Sequence, residues 1–286
     1  MKKIVDILRS RGEHWVGNGF PVRSLFSYQD DAEAISPFLL FDYAGPHYFE
    51  PNDGAPRGVG QHPHRGFETV TIVYDGEVSH ADSTGGGGTI GPGDVQWMSA
   101  AGGVIHEEFH SAGFSKTGGP FRVVQLWVNL PARDKLSPPR YQGIRSADIP
   151  VVDVDGGKVR VIAGEFEDIK GPASTFTPIN LWDVRLNADA EVTLDLPDDH
   201  NTMIAVLSGH VTIAGQPVGE AEIARFSAGN AGATIHADGD TMLLVMTGEP
   251  IHEPVFGHGP FVMNSETEIR TAIDDFNNGR FAQIAN

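Results

Sequence analysis

No cysteine occurs among the 286 residues, which excludes disulfide bonds and thiolate metal ligands. Any metal must therefore be held by histidine, aspartate or glutamate. Basic residues are also scarce: 20 Lys and Arg stand against 38 Asp and Glu, a formal net charge of −18. Phosphate backbones and anionic headgroups repel a chain of that sign, so direct binding to nucleic acid or to a membrane surface is not expected. No apolar run is long enough to span a bilayer. The start Met1-Lys2-Lys3 resembles the basic opening of a signal peptide, but Asp6, Arg9, Arg11 and Glu13 interrupt the apolar stretch that would have to follow. A soluble, cytoplasmic protein is the expectation.

Glycine and proline, by contrast, are abundant at 35 and 19 residues. That many turn formers, in a chain with strand-like alternation, favours an all-β architecture. Phe67–Tyr74 is rich in β-branched and aromatic residues and stops at Asp75-Gly76. In 122–130, Val124, Leu126, Val128 and Leu130 fall on one face before Pro131 ends the run. A similar rhythm returns later: a strand over Thr202–Leu207, the turn Ser208-Gly209-His210, then His236 and a strand ending before Pro250. The repeat predicts a duplicated β-barrel, joined through the proline-rich stretch Pro131–Val152. The expected division is 1–140 for a metal-binding domain and 141–286 for a degenerate second copy. The segment Glu266–Phe281 carries helical signals and is read as one or two short helices.

The densest chemistry lies in His62-Pro-His64 and His106-Glu-Glu108. Residues i and i+2 of a strand face the same way, so each pair can present two donors to one side. Three imidazoles and one carboxylate suit a non-haem Fe(II), Mn, Ni, Co or Cu ion. Burying four such groups without a metal would be costly. His200 and His236-Ala-Asp238 imitate the pattern without an HxH partner, so one site per chain is expected.

Other features have plainer readings. Arg65 and Gly66 read as turn support and tight packing, and Gly85–Gly88 as a hairpin tip, since no Lys-Ser/Thr follows it. His80 and His110 read as surface residues. Trp97 and Met98 are expected beneath the ligand strand, and Phe67 against either the core or the cavity. Nothing supplies an orienting acid or oxyanion hole for a hydrolase triad at His110-Ser111, and there is no dinucleotide fingerprint.

The blocks His62-Pro-His-Arg-Gly-Phe-Glu-Thr-Val-Thr71, Gly91-Pro-Gly-Asp-Val-Gln-Trp-Met98, Gly103-Val-Ile-His-Glu-Glu108 and 253–264 closely resemble the pirin family of bicupins. The resemblance runs from Phe38 to Arg280. It implies two cupin barrels with Fe(II) in the N-terminal one, held by His62, His64, His106 and Glu108; Mn, Co, Ni, Cu or Zn are alternative occupants. It also implies that Glu68 is not a ligand. Glu107 stands where pirins often have Ser or Ala, and Gly257-His258-Gly259 departs from the common aromatic version.

Members resembling pirin are known for quercetin 2,3-dioxygenase activity, so the expected partners are a flavonol and O2, with ring opening and carbon monoxide release. An octahedral ion with four protein ligands keeps two cis positions for these reactants, and Glu108 is expected to accept the substrate proton. Two alternatives stay open: a metal- or redox-dependent regulator that binds a protein partner, and a cupin dioxygenase for another enol or a catechol. A monomer is the expected state.

Overall fold

The computed structural model describes residues 1–10 and 12–284. Strands dominate it, every strand pair is antiparallel, and the chain resolves into two compact units. No described helix is long and apolar enough to cross a membrane.

The unit built mainly from Phe38–Ser146 has a seven-stranded sheet. Its order is Arg140–Ile144, Val95–Ser99, Phe67–Asp75, Gly119–Asn129, Phe38–Phe49, Phe20–Ser27 and Glu13–Val16. A four-stranded sheet adds Gly58–His64, Val104–His110, Val78–Asp82 and Gly87–Ile90, in that order. Phe67–Tyr74 is buried along its whole length, as its β-branched and aromatic composition predicts. On Gly119–Asn129, Val124, Leu126 and Val128 are buried while Gln125 and Trp127 remain half-buried on the other face. Gly85 and Gly86 lie in the turn between Val78–Asp82 and Gly87–Ile90, and Gly87 and Gly88 begin the second of these strands. Phe20, Phe49, Phe114 and Phe121 close one end of the barrel.

The tail from Ile251 also belongs to this unit. Glu266–Asn277 is one helix, capped reciprocally: the Ser265 hydroxyl accepts from the Glu268 amide, and the Glu268 carboxylate accepts from the Asn264 amide and the Ser265 hydroxyl. Ile269 and Ala272 bury its apolar side against Ile105, Phe261 and Met263. A short helix the sequence did not announce, Ala112–Thr117, starts at the Ser111 cap.

The second unit, mainly Ala147–Pro250, repeats the topology. Its larger sheet runs Ile4–Arg9, Glu222–Phe226, Asn201–Ser208, Thr241–Gly248, Ile179–Leu186, Gly157–Ala163 and Val151–Val154. Its smaller sheet runs Glu191–Leu194, Ala233–Ala237, Val211–Ile213 and Gln216–Val218. The expected single cut between 140 and 141 gives way to an interleaved division. Ile4–Arg9 pairs with Glu222–Phe226 in the place that Arg140–Ile144 takes beside Val95–Ser99. Arg140–Ile144 and Ile4–Arg9 thus form corresponding edge strands of the two larger sheets.

Candidate metal centre

The strand Gly58–His64 lies antiparallel to Val104–His110, with His62 directly opposite His106. The period of two turns His62, His64, His106 and Glu108 to the interior. Ligand atoms of His62, His64 and His106 lie within 4.8 Å of one another, and those of His80, His106 and Glu108 form a second group of the same spread. The imidazole centroids of His62 and His106 are 4.2 Å apart, and those of His64 and His106 are 4.8 Å apart. Glu107 pairs across to Ala81 and, being the intervening residue, faces the other way. Glu68 is in neither group; Ser99 donates to its Oε1 at 2.6 Å.

Hydrogen bonding sets which nitrogen of each ring is free. His62 Nδ1 meets the Gly60 carbonyl at 2.9 Å, and His64 Nδ1 meets the Pro260 carbonyl at 3.4 Å. A carbonyl only accepts, so both rings carry hydrogen on Nδ1 and leave the Nε2 lone pair uncommitted. His106 Nδ1 faces His80 Nδ1 at 3.3 Å, and the fully buried His106 Nε2 has no hydrogen-bond partner among the described residues. Burial holds His64 down at about 3 and, with His64 and His62 adjacent, holds His106 well below the ordinary imidazole range. Both are therefore neutral at physiological pH. Three converging imidazoles, with the Glu108 carboxylate within the same distance of His106 and one ring nitrogen orphaned, fit a divalent metal.

A cavity of 320 Å³ opens on this cluster between the two sheets. Val16, Phe20, Val22, Val59, Val123 and Trp127 make its walls, and His62, His64, Glu108, Gln125 and Asp42 supply its polar groups. Asp42 lies directly across from Gln125, and Gln125 from Thr71. The Thr71 hydroxyl stands 2.8 Å from Gln125 Oε1 and 3.3 Å from Glu108 Oε1. The Ser24 hydroxyl donates to Asp42, yet burial outweighs this and pushes the carboxyl upward.

The sequence misplaced two histidines. His80 is buried, stacked on Tyr141 at 5.3 Å, and its Nε2 bonds to Asp82 Oδ2 at 3.2 Å. His110 is buried among Phe49, Phe114 and Phe121 and donates from Nε2 to the Gly19 carbonyl at 2.8 Å. Both lie on inward positions of short strands, where a polar residue breaks the apolar pattern and imitates an exposed one. Asp42 and Gln125, half-buried within long strands, were also missed.

The remaining readings find physical content. Arg65 supports the turn by donating to the Gly102 carbonyl and to Asp275, both at 2.7 Å, and lies over the Phe281 ring. Gly66 takes φ +90°, and a Cβ there would collide with the Val262 carbonyl. Trp97 and Met98 are fully buried, and Phe67 packs edge-on to His64 with Leu39 and Val262. His258 is exposed and Pro260 meets His64, so the tail buttresses the site through its backbone.

Glu68 gives a test of the packing beneath the site. Burial raises its carboxyl to about 7 against the opposing pull of Ser99, Trp97 and Arg140. The folded state then keeps a proton that the unfolded chain releases, so Glu68's favourable contribution is full below about pH 4.5 and lost as pH rises through 7. One pKa unit is about 1.4 kcal/mol, so the loss approaches roughly 3 kcal/mol. Glu68→Gln, neutral at every pH, should raise the melting temperature at pH 8 and leave it unchanged at pH 4.5. An equal shift at both values would contradict the assignment.

In the second unit the same strand positions hold different chemistry. Gly76 and Gly209, at φ +86° and +81°, open the equivalent hairpins and set the register. His106 opposite His62 then corresponds to Ala233 opposite Leu194, and Glu108 opposite His80 to Ile235 opposite Ile213. Leu194, Leu196, Ala233, Ile235 and Ile213 all belong to one buried apolar cluster. His236 is half-buried and faces outward from its strand, and His200 is buried with Nδ1 on the Thr247 hydroxyl at 2.9 Å.

The family model described as Pirin matches residues 19–128, and that of the pirin C-terminal cupin domain matches residues 181–282. A Pseudomonas aeruginosa protein named "Putative quercetin 2,3-dioxygenase" is 55% identical over 98% of this chain and 99% of its own. The crystal structure of a quercetin 2,3-dioxygenase from Acinetobacter baumannii, 50% identical, superposes with a TM-score of 0.97 over 100% of both chains. A bacterial pirin from Escherichia coli, solved in complex with nickel(II), is 22% identical with a TM-score of 0.67 over 86% of this chain and 99% of its own. That last likeness concerns the fold.

Proposed function

The chain belongs to the pirin family of two-cupin proteins, and we propose that it is a metal-dependent dioxygenase that opens the ring of a flavonol such as quercetin with O2 and releases carbon monoxide. His62, His64, His106 and Glu108 would hold a single Fe(II), with the aliphatic positions Leu194, Leu196, Ala233 and Ile235 leaving the other barrel without one. The observation that carries this reading is the convergence of uncommitted imidazole nitrogens at the end of a mostly apolar cavity. A flat aromatic substrate with one ionisable oxygen suits such a space.

When bound, the metal supplies Lewis acidity and a redox partner for oxygen. The protein's own groups do the rest. The valine and phenylalanine walls exclude water, and Trp127 offers a flat surface for the substrate rings. Glu108 accepts the hydroxyl proton at its carboxylate, with Thr71 in reach of the same oxygen. Asp42 and Gln125 lie on the sheet wall of the same cavity and recognise polar groups remote from the reacting oxygen.

The test is oxygen uptake with quercetin by protein reconstituted anaerobically with Fe(II), beside His62→Ala. Uptake with carbon monoxide release in the wild type alone is expected. A fully loaded protein that consumes no oxygen with quercetin would overturn the flavonol assignment.

A further inference from the structure

Each candidate ligand ring has its Nδ1 tied to an acceptor, but the three acceptors differ in kind. His62 and His64 face carbonyl oxygens, which can only accept. His106 faces the imidazole of His80, which can accept or donate at Nδ1 according to where its own hydrogen sits. Something must choose between these tautomers, since the wrong one would place the His106 hydrogen on Nε2.

Asp82 is placed to make that choice. Its Oδ1 receives the Thr84 amide at 2.7 Å, the Thr84 hydroxyl at 2.6 Å and the Gly86 amide at 3.1 Å. Its Oδ2 is left for His80 Nε2 at 3.2 Å. Three donors converging on one oxygen is the arrangement of an ionised carboxylate. An ionised carboxylate only accepts, so His80 carries its hydrogen on Nε2 and presents a lone pair at Nδ1. The Gln96 amide at 2.9 Å and His106 Nδ1–H at 3.3 Å share that single lone pair as donors. Tyr141 stacks on the His80 ring and fixes its plane. His106 Nε2 is then bare of hydrogen, in agreement with its lack of a partner among the described residues.

We propose that His80, oriented by Asp82 and Gln96, is a positioning residue that fixes His106 as its Nδ1–H tautomer and aims the Nε2 lone pair at the metal. This rests on the metal-site reading above. The second barrel is consistent with it. Where Ala233 replaces His106, Ile213 replaces His80, so the orienting imidazole is absent along with the ring it would orient.

The experiment is cobalt(II) binding to the metal-free full chain, read by chelator competition and by the visible absorption of the bound ion. Asp82→Asn is nearly isosteric, but its amide can donate to His80 Nε2 and release the His80 hydrogen to Nδ1. It is expected to weaken cobalt binding 10- to 100-fold, the range for an outer-shell partner, and to alter the absorption band. His80→Gln offers its Oε1 to His106 Nδ1 and should bind within a few-fold of wild type. In that background Asp82→Asn should cost nothing further. Thermal melting of each metal-free variant checks that the fold is kept.

Wild-type affinity in Asp82→Asn would overturn the proposal, and so would an equal loss in both backgrounds, which would mark Asp82 as packing alone. A wild-type protein that takes up no cobalt would overturn the metal reading and this one with it. Wild-type uptake with unaltered variants overturns only this one.

Discussion

Alanine at His106 is expected to abolish stoichiometric metal binding while changing the melting temperature of the metal-free protein by only a few degrees. Two terms oppose each other in the metal-free state. Removing a fully buried ring leaves a cavity, at a cost of about 2 kcal/mol on the scale of large-to-small core changes. It also removes a buried nitrogen that has no partner, whose desolvation costs about 1–3 kcal/mol. The loaded protein behaves differently. A ligand at a hundred times its dissociation constant stabilises the native state by about 2.7 kcal/mol, and that increment should disappear in His106→Ala. Calorimetry with and without added Fe(II), alongside metal content, reads both effects. A variant that keeps one equivalent of metal would remove His106 from the ligand set.

The strands that carry the candidate ligands were legible because a polar pair at i and i+2 is conspicuous in a β-rich chain. The outer layer was not. Val78, His80 and Asp82 all point inward, yet His80 read as a surface residue and Asp82 drew no reading at all. Period alone gives the face on which a residue lies and not which face is buried. Asp42 is hidden differently: one acid within Phe38-Leu-Leu-Phe-Asp-Tyr43 gives no sign that it turns into a cavity.

The repeat shows a second limit. Both hairpins begin at a glycine with positive φ, and the sequence pairs Gly76 with Gly209 correctly. Thirty residues separate Gly76 from His106, but only twenty-four separate Gly209 from Ala233. The glycine-rich turn of the first barrel is longer than its counterpart, so matching His106 to His236 selected a residue from the wrong face. Strand pairing restores the register, and the equivalents of the ligands are then leucine, alanine and isoleucine. The repeated backbone carries apolar side chains at these positions, which is what a core requires when no metal offsets buried imidazoles.

Two carboxyl groups share the cavity, and their surroundings assign them different tasks. The Thr71 hydroxyl has one hydrogen and lies nearer Gln125 than Glu108, so Glu108 is held loosely and keeps a lone pair for a substrate proton. Glu108→Gln should therefore retain Fe(II) and lose about 10²- to 10⁴-fold in turnover, the range for a general base. Asp42 is bound by Ser24 and raised by burial. If its ionised form assists binding, activity falls on acidification through a value above the ordinary carboxylate range. Asp42→Asn should flatten that acid limb, with its main cost in KM. Iron content, single-turnover rates and the pH profile of kcat/KM separate the two roles. Full turnover by iron-loaded Glu108→Gln would move the proton acceptor elsewhere, and a large kcat loss in Asp42→Asn would identify the carboxyl that took its place.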